Sequence, residues 1–158
     1  MFIQADIART IKSIPWFLEL SKDSIQRLSA IAEVRSFKAG DLIFSEGEQH
    51  HHFYIVIEGK VCLESYVPDH GAMPVFTAES LDVIGWSSLT PVVRQKPGTA
   101  RVLEPTKCLT FDSNSLMGLC ETDCDLGFVI MRRLANIVAS RLLNHRLHLL
   151  EIISYQQK

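Results

Sequence analysis

Three consecutive histidines, His50-His51-His52, with Glu58 and the more distant His70, come nearest in residue type to a metal-ligand set. Imidazole and carboxylate suit zinc, iron, manganese or nickel when strands aim them inward at one point. Here Gln49 to His52 reads as a polar turn, and His70 falls in a hairpin turn after Pro68-Asp69. A solvated turn is the expected state, and no metal is expected. Glu46 and Glu48 sit on a turn rather than as an acid-base pair. The chain contains no Gly-x-Ser-x-Gly, no phosphate-binding Gly-rich loop with Lys-Ser/Thr and no His-Glu-x-x-His, so no catalytic constellation is expected.

The four cysteines are too few for a disulfide scaffold in 158 residues. Cys62 and Cys108 lie inside apolar strand-like runs and read as small core residues. Cys120 and Cys124 would share a face only if one helix carried both. Arg132, Arg133, Arg141 and Arg146 lie in a stretch with no acid between Leu126 and Leu150. At 100° per residue the four do not share one face, which predicts a solvated helix flank rather than a phosphate-facing stripe.

The elements that must position these residues fall into three zones. From 1 to 34, Ile11, Ile14, Leu18, Ile25, Leu28, Ile31 and Ala32 recur at helical spacing, and Pro15 breaks the stretch in two. From 35 to 112, short β-branched and aromatic runs alternate with Gly, Pro and Asp punctuation, the pattern of an antiparallel roll. From 113 to 158 the chain is helical again. Met131, Leu134, Val138, Leu142, His145 and Leu149 follow a near-heptad spacing. Spanning Asp125 to Tyr155, that helix would run about 45 Å at 1.5 Å per residue, too long for a small roll to cover. Its seam predicts a homodimer.

Specific residues narrow the architecture. Gly40-Asp41-Leu42-Ile43-Phe44-Ser45-Glu46-Gly47-Glu48, then Phe53 to Ile57 followed by Glu58-Gly59-Lys60-Val61, resemble the cyclic nucleotide-binding domain, the sensor of Crp/Fnr-type regulators. The resemblance resumes at Asp82-Val83-Ile84-Gly85 and Thr99-Ala100, and runs through Leu126-Gly127 to Leu142. Gly40, Gly47 and Gly59 fall at roll corners, where positive φ is often required. The resemblance implies an α+β, mainly β fold: a single domain with N-terminal helices, an eight-stranded β-roll (a double-stranded β-helix or jelly roll) with a short cassette helix, and a long C-terminal dimer helix. It also implies signal transmission through a hinge at Cys120 to Asp125.

In that family the cassette reads Phe-Gly-Glu-x-Ala-Leu and then Arg-Ser/Thr-Ala. The Glu holds the ribose 2′-hydroxyl and the Arg neutralises the phosphate. The corresponding residues here are Ile84, Gly85, Trp86, Ser87, Ser88 and Leu89, then Gly98, Thr99 and Ala100, with Trp86 at the Glu position and Gly98 at the Arg position. Two missing charge-assisted hydrogen bonds, at about 1.5–3 kcal/mol each, remove about two to four decades of affinity. Arg94 and Lys96 are the nearest replacement cations. Gly85, Ser87 and Ser88 could still present amides at a helix N-terminus. The ligand, if one binds, would be a cyclic nucleotide or another small anionic molecule, and the cassette argues against ordinary cyclic AMP or cyclic GMP.

Composition sets the outer limits. The chain is 47% hydrophobic and 22% charged with net charge −2, ordinary for a globular domain and unlike a whole-surface nucleic-acid or membrane binder. No apolar run approaches the roughly 20 residues that span a bilayer. A cytoplasmic regulatory domain is expected, with no DNA and no membrane partner. Only Ser154 to Lys158 follow Ile153, so no helix-turn-helix reader is expected. Two alternatives stand beside this reading. One is a ligand-free dimerisation or protein-interaction module. The other is a cupin-like metal-dependent enzyme, for which His50, His52 and Glu58 give a faint likeness with Glu58 too far along.

Overall fold

The structure is a computed structural model and describes residues 4–49, 51–90, 92 and 97–156. Helix α1 (Gln4–Ser13) buries Ile7 and Ile11, and Pro15 ends this helical stretch by opening a single 3-10 turn at Pro15–Phe17. Helix α2 (Lys22–Ala30) starts where the Ser21 hydroxyl accepts from the Ser24 amide at 3.1 Å. The helical pattern expected to reach residue 34 stops earlier. Strand β1 begins at Ala32, because Ala32 and Val34 alternate against β8 rather than continuing the helix.

Eight antiparallel strands follow: β1 (Ala32–Phe37), β2 (Leu42–Phe44), β3 (His52–Glu58), β4 (Val61–Val67), β5 (Gly71–Ala78), β6 (Val83–Ile84), β7 (Thr99–Val102) and β8 (Thr106–Asp112). They form two four-stranded sheets, ordered β1-β8-β3-β6 and β2-β7-β4-β5. Strand β3 is buried on both faces, which explains its unbroken apolar run. Phe53 and Ile55 face the helices, while Tyr54 and Val56 face the opposite sheet. The two sides feed two separate cores.

The expected corner glycines adopt left-handed backbone. Gly59, at φ +98°, is the most constrained, since a β-carbon there would stand 2.6 Å from the Pro105 carbonyl oxygen. Beyond β8, Asp112 caps α3 (Ser113–Thr122) by accepting from the Ser115 amide at 2.9 Å. Asp123 interrupts the helix, and α4 (Cys124–Gln156) runs for 33 residues, about 50 Å at 1.5 Å per residue. Cys120 and Cys124 are therefore on different helices. No helix among the described residues is long and apolar enough to cross a membrane.

Helix α4 crosses α3 closely at Gly127. A β-carbon there would lie 2.5 Å from the Cys120 carbonyl oxygen. Its first turns pack Leu126, Val129, Ile130 and Leu134 into the helix-facing core. Its distal half leaves the roll, with Leu143, Leu147, Leu149, Leu150 and Ile152 exposed.

Candidate functional site

The roll and α4 enclose a cavity of about 320 Å³. Its floor is apolar roll, chiefly Phe44, Leu63 and Phe76. One wall is the cassette, where Gly85 takes φ +74° so that the chain can turn from β6 into the 3-10 turn Trp86–Leu89. Pro97 and Gly98 line the approach to β7. The opposite wall is helical: Val138, Arg141, Leu142 and His145, at positions i, i+3, i+4 and i+7, fall on one face of α4.

The cassette residues divide by role. Gly85, half-buried Trp86, Ser87 and Gly98 line the cavity. Ile84, Leu89 and Ala100 instead fill the cores on either side of β3. The Ser88 amide is committed inside the turn, donating to the Gly85 carbonyl at 3.1 Å, so it does not point at a ligand. Ser87 is 2% exposed and its hydroxyl has no partner among the described residues. Thr99 accepts a hydrogen bond from the Glu46 amide at 2.9 Å, tying β7 to the β2–β3 corner. Arg94 and Lys96 lie outside the described residues.

The carboxylate that lines the roll side of the cavity, Glu64, is matched by Arg101, whose Nε donates to it at 3.1 Å, while Glu46 Oε2 nearby accepts from the Tyr66 backbone amide at 2.7 Å. Gly98 is pressed against β4, where a β-carbon would come within 2.8 Å of the Glu64 carbonyl oxygen.

Arg141 contradicts the expectation of a solvated arginine flank. Its Nη2 donates to the Val83 carbonyl oxygen at 2.8 Å, and its guanidinium lies 3.8 Å from the centroid of the Phe76 ring. Burial lowers its pKa, and the Asp82 charge opposes that shift. Among the described residues no carboxylate forms an ion pair with it. Sequence reasoning missed this residue because it asked whether all four arginines shared a face. The available signal was narrower: Arg141 sits between Val138 and Leu142 of the apolar seam. Arg133 is likewise half-buried, with its guanidinium 5.7 Å from the Trp16 ring. Arg132 does reach solvent and pairs with Glu19 at 2.6 Å.

The proposed seam is also divided. Leu134 is buried in this chain's own core, with Met131 and Val138 packed against it. Leu142 and His145 face the cavity, although Leu142 remains 69% exposed, and Leu149 is exposed. The break between α3 and α4 falls within the stretch Cys120 to Asp125. Buried Asp123 accepts from Ser24 Oγ at 2.6 Å and from the Leu126 amide at 3.1 Å, and lies 3.3 Å from Arg27. The hydrogen bond from Ser24 leads in pulling its pKa below the usual carboxylate value.

The metal-type residues do not converge. His52 is the first residue of β3 and not a turn residue. It contacts Arg35 Nη2 at 3.2 Å, and burial followed by the Arg35 charge lowers its pKa. Glu58 pairs with Lys107 at 2.9 Å, His70 contacts the Pro68 carbonyl, and His50 lies outside the described residues. Among the described residues no group of three His, Cys, Asp or Glu side chains could hold a metal. Cys62 and Cys108 are core residues as expected, and burial pushes Cys108 up to about 12.

Comparison with known proteins agrees with this geometry. A family model described as the cyclic nucleotide-binding domain matches residues 34–123. Over 58 residues the chain is 33% identical to cGMP-dependent protein kinase isozyme 2 of Drosophila melanogaster, a match covering 37% of this chain and 6% of the kinase. A cyclic nucleotide-binding domain from Methylobacillus flagellatus superposes with a TM-score of 0.78 at 16% identity, covering 94% of this chain and 83% of that one. The sensor domain of the transcriptional regulator DNR from Pseudomonas aeruginosa gives a TM-score of 0.73 at 19% identity, covering 90% and 95%.

Proposed function

The chain belongs to the cyclic nucleotide-binding domain family, and from that premise we propose that it acts as a non-catalytic regulatory sensor. A small ligand held between the roll and α4 sets the position of that helix, and the Asp123 hinge transmits the change. One observation carries the reading: Val138, Arg141, Leu142 and His145 of α4 form a wall of the same cavity that the cassette lines. Filling the cavity therefore acts on the helix directly. Its volume of about 320 Å³ falls at the lower end of small-molecule sites, and its walls are mainly apolar with few polar groups.

The ligand is not an ordinary cyclic nucleotide held in the family manner. Trp86 stands where the ribose-binding Glu would be, and Gly98, where the Arg would be, has backbone rather than space beside it. Calorimetric titration with cyclic AMP and cyclic GMP tests this. No saturation is expected below about 1 mM, given a loss of two to four decades. Micromolar affinity for either nucleotide would overturn it.

The distal half of α4 supports a second element of the reading, self-association. Leu143, Leu147, Leu149, Leu150 and Ile152 are all more than half exposed on one continuous helix, more apolar surface than an isolated helix keeps in water. A second copy presenting the same residues buries them symmetrically.

A further inference from the structure

We infer that Arg141, carried by α4 rather than by the roll, is the anion anchor of this cavity, and that the ligand is a small monoanion with an aromatic or other apolar body. The inference rests on the sensor reading above and adds the chemistry of what is sensed.

A guanidinium carries five N–H donors and stays protonated in proteins. Arg141 commits Nη2 to the Val83 carbonyl and one face to Phe76, which orients the fork without neutralising it. Arg141 lines both this cavity and the adjoining hollow formed with Asp82 and Val83; the Asp82 charge opposes the effect of burial, but among the described residues Asp82 forms no ion pair with it. A half-buried cation in that state is stabilised by an incoming anion, and Arg binds a carboxylate through two parallel hydrogen bonds. The roll offers no competing anchor among the described lining residues: Glu64 is matched by Arg101, and Gly98 carries no side chain.

The walls set the rest of the ligand. Leu63, Phe76, Trp86, Val138 and Leu142 surround the space with hydrocarbon and aromatic rings, which favours a flat apolar body. The unpartnered Ser87 hydroxyl gives one further polar contact at the cassette end. Among the described lining residues Arg141 is the one lysine or arginine, which matches a single negative charge. A phosphomonoester dianion would bring a second charge that, among those residues, only the His145 imidazole could meet.

The test is isothermal titration of the full chain with 2-naphthoate and with its neutral counterpart 2-naphthamide. Naphthoate should bind about 10- to 100-fold more tightly than the amide. Arg141→Gln should remove that preference while leaving the amide affinity within about two-fold. Arg141→Lys, which keeps the charge but loses the planar fork, should weaken naphthoate several-fold and leave the amide unchanged. It keeps the experiment decisive should the Gln variant fail to fold. Equal affinity for both compounds in the unmodified protein, or naphthoate binding unaffected by either substitution, overturns the anchor while leaving the cavity as a sensor site. Binding of neither compound at about 1 mM overturns the ligand class and leaves the sensor reading standing.

Discussion

Gly98 rests against the main chain of β4 so closely that a β-carbon at that position would stand 2.8 Å from the carbonyl oxygen of Glu64. Backbone occupies the space that a side chain would need, and backbone yields only if a strand moves. The missing Arg of the cassette is thus part of how β7 approaches β4, whose register pairs Glu64 with Thr99. Restoring the family residue by a single substitution would disturb the sheet before it helped a ligand.

Gly98→Ala should therefore destabilise the domain by about 1–3 kcal/mol, the usual cost of forcing extra volume into a packed site. Thermal unfolding checks this, with a Tm lower by about 2–4 °C per kcal/mol for a domain of this size. An unchanged Tm would mean that β4 and β7 are not pressed together at this point.

Asp123 joins α2 to the break between α3 and α4, and its pKa is held below the ordinary carboxylate value, first by the Ser24 hydrogen bond. A carboxyl group with a depressed folded-state pKa contributes stability that is present above its unfolded pKa and lost as pH falls through the folded one. Asp123→Asn should cost about 1.5–3 kcal/mol at neutral pH, since a charged hydrogen-bond acceptor is replaced by a neutral one. The deficit should begin to shrink as pH falls below about 4, where the unfolded carboxyl group takes up its proton, and should close only below the depressed native pKa. Denaturant midpoints at pH 7 and in that acid range measure both effects.

Much of this architecture was legible in sequence. Positive φ was anticipated at Gly40, Gly47 and Gly59 and is found at each, because no other residue turns a roll corner as cheaply. The break at Pro15 follows from equally local chemistry, while the break before Leu126 was implied by the family resemblance alone. The site was less legible. Periodicity assigns a residue to a helix face but does not say which part of the fold that face meets, so Arg141 read as a flank residue while it in fact covers Phe76. The cassette turn was expected to offer the Ser88 amide, which the tight 3-10 geometry instead uses internally. The dimer seam was drawn as one stripe, although α4 spends its first turns on its own core.

That division sharpens the prediction about self-association. Leu149→Glu combined with Ile152→Glu alters only exposed positions and should leave the fold intact while converting a dimer to a monomer. Light scattering after size exclusion reads the outcome at micromolar concentration. A monomeric unmodified protein would rule out the second copy as the cover for α4.

The central claim is that the cavity and α4 are one mechanical unit. Hydrogen exchange of the full chain with and without saturating 2-naphthoate tests it most directly. The account predicts slowed exchange at the cassette amides of 83–87 and across 138–145 of α4 in the same experiment. Protection of the cassette with no change along the helix would contradict it.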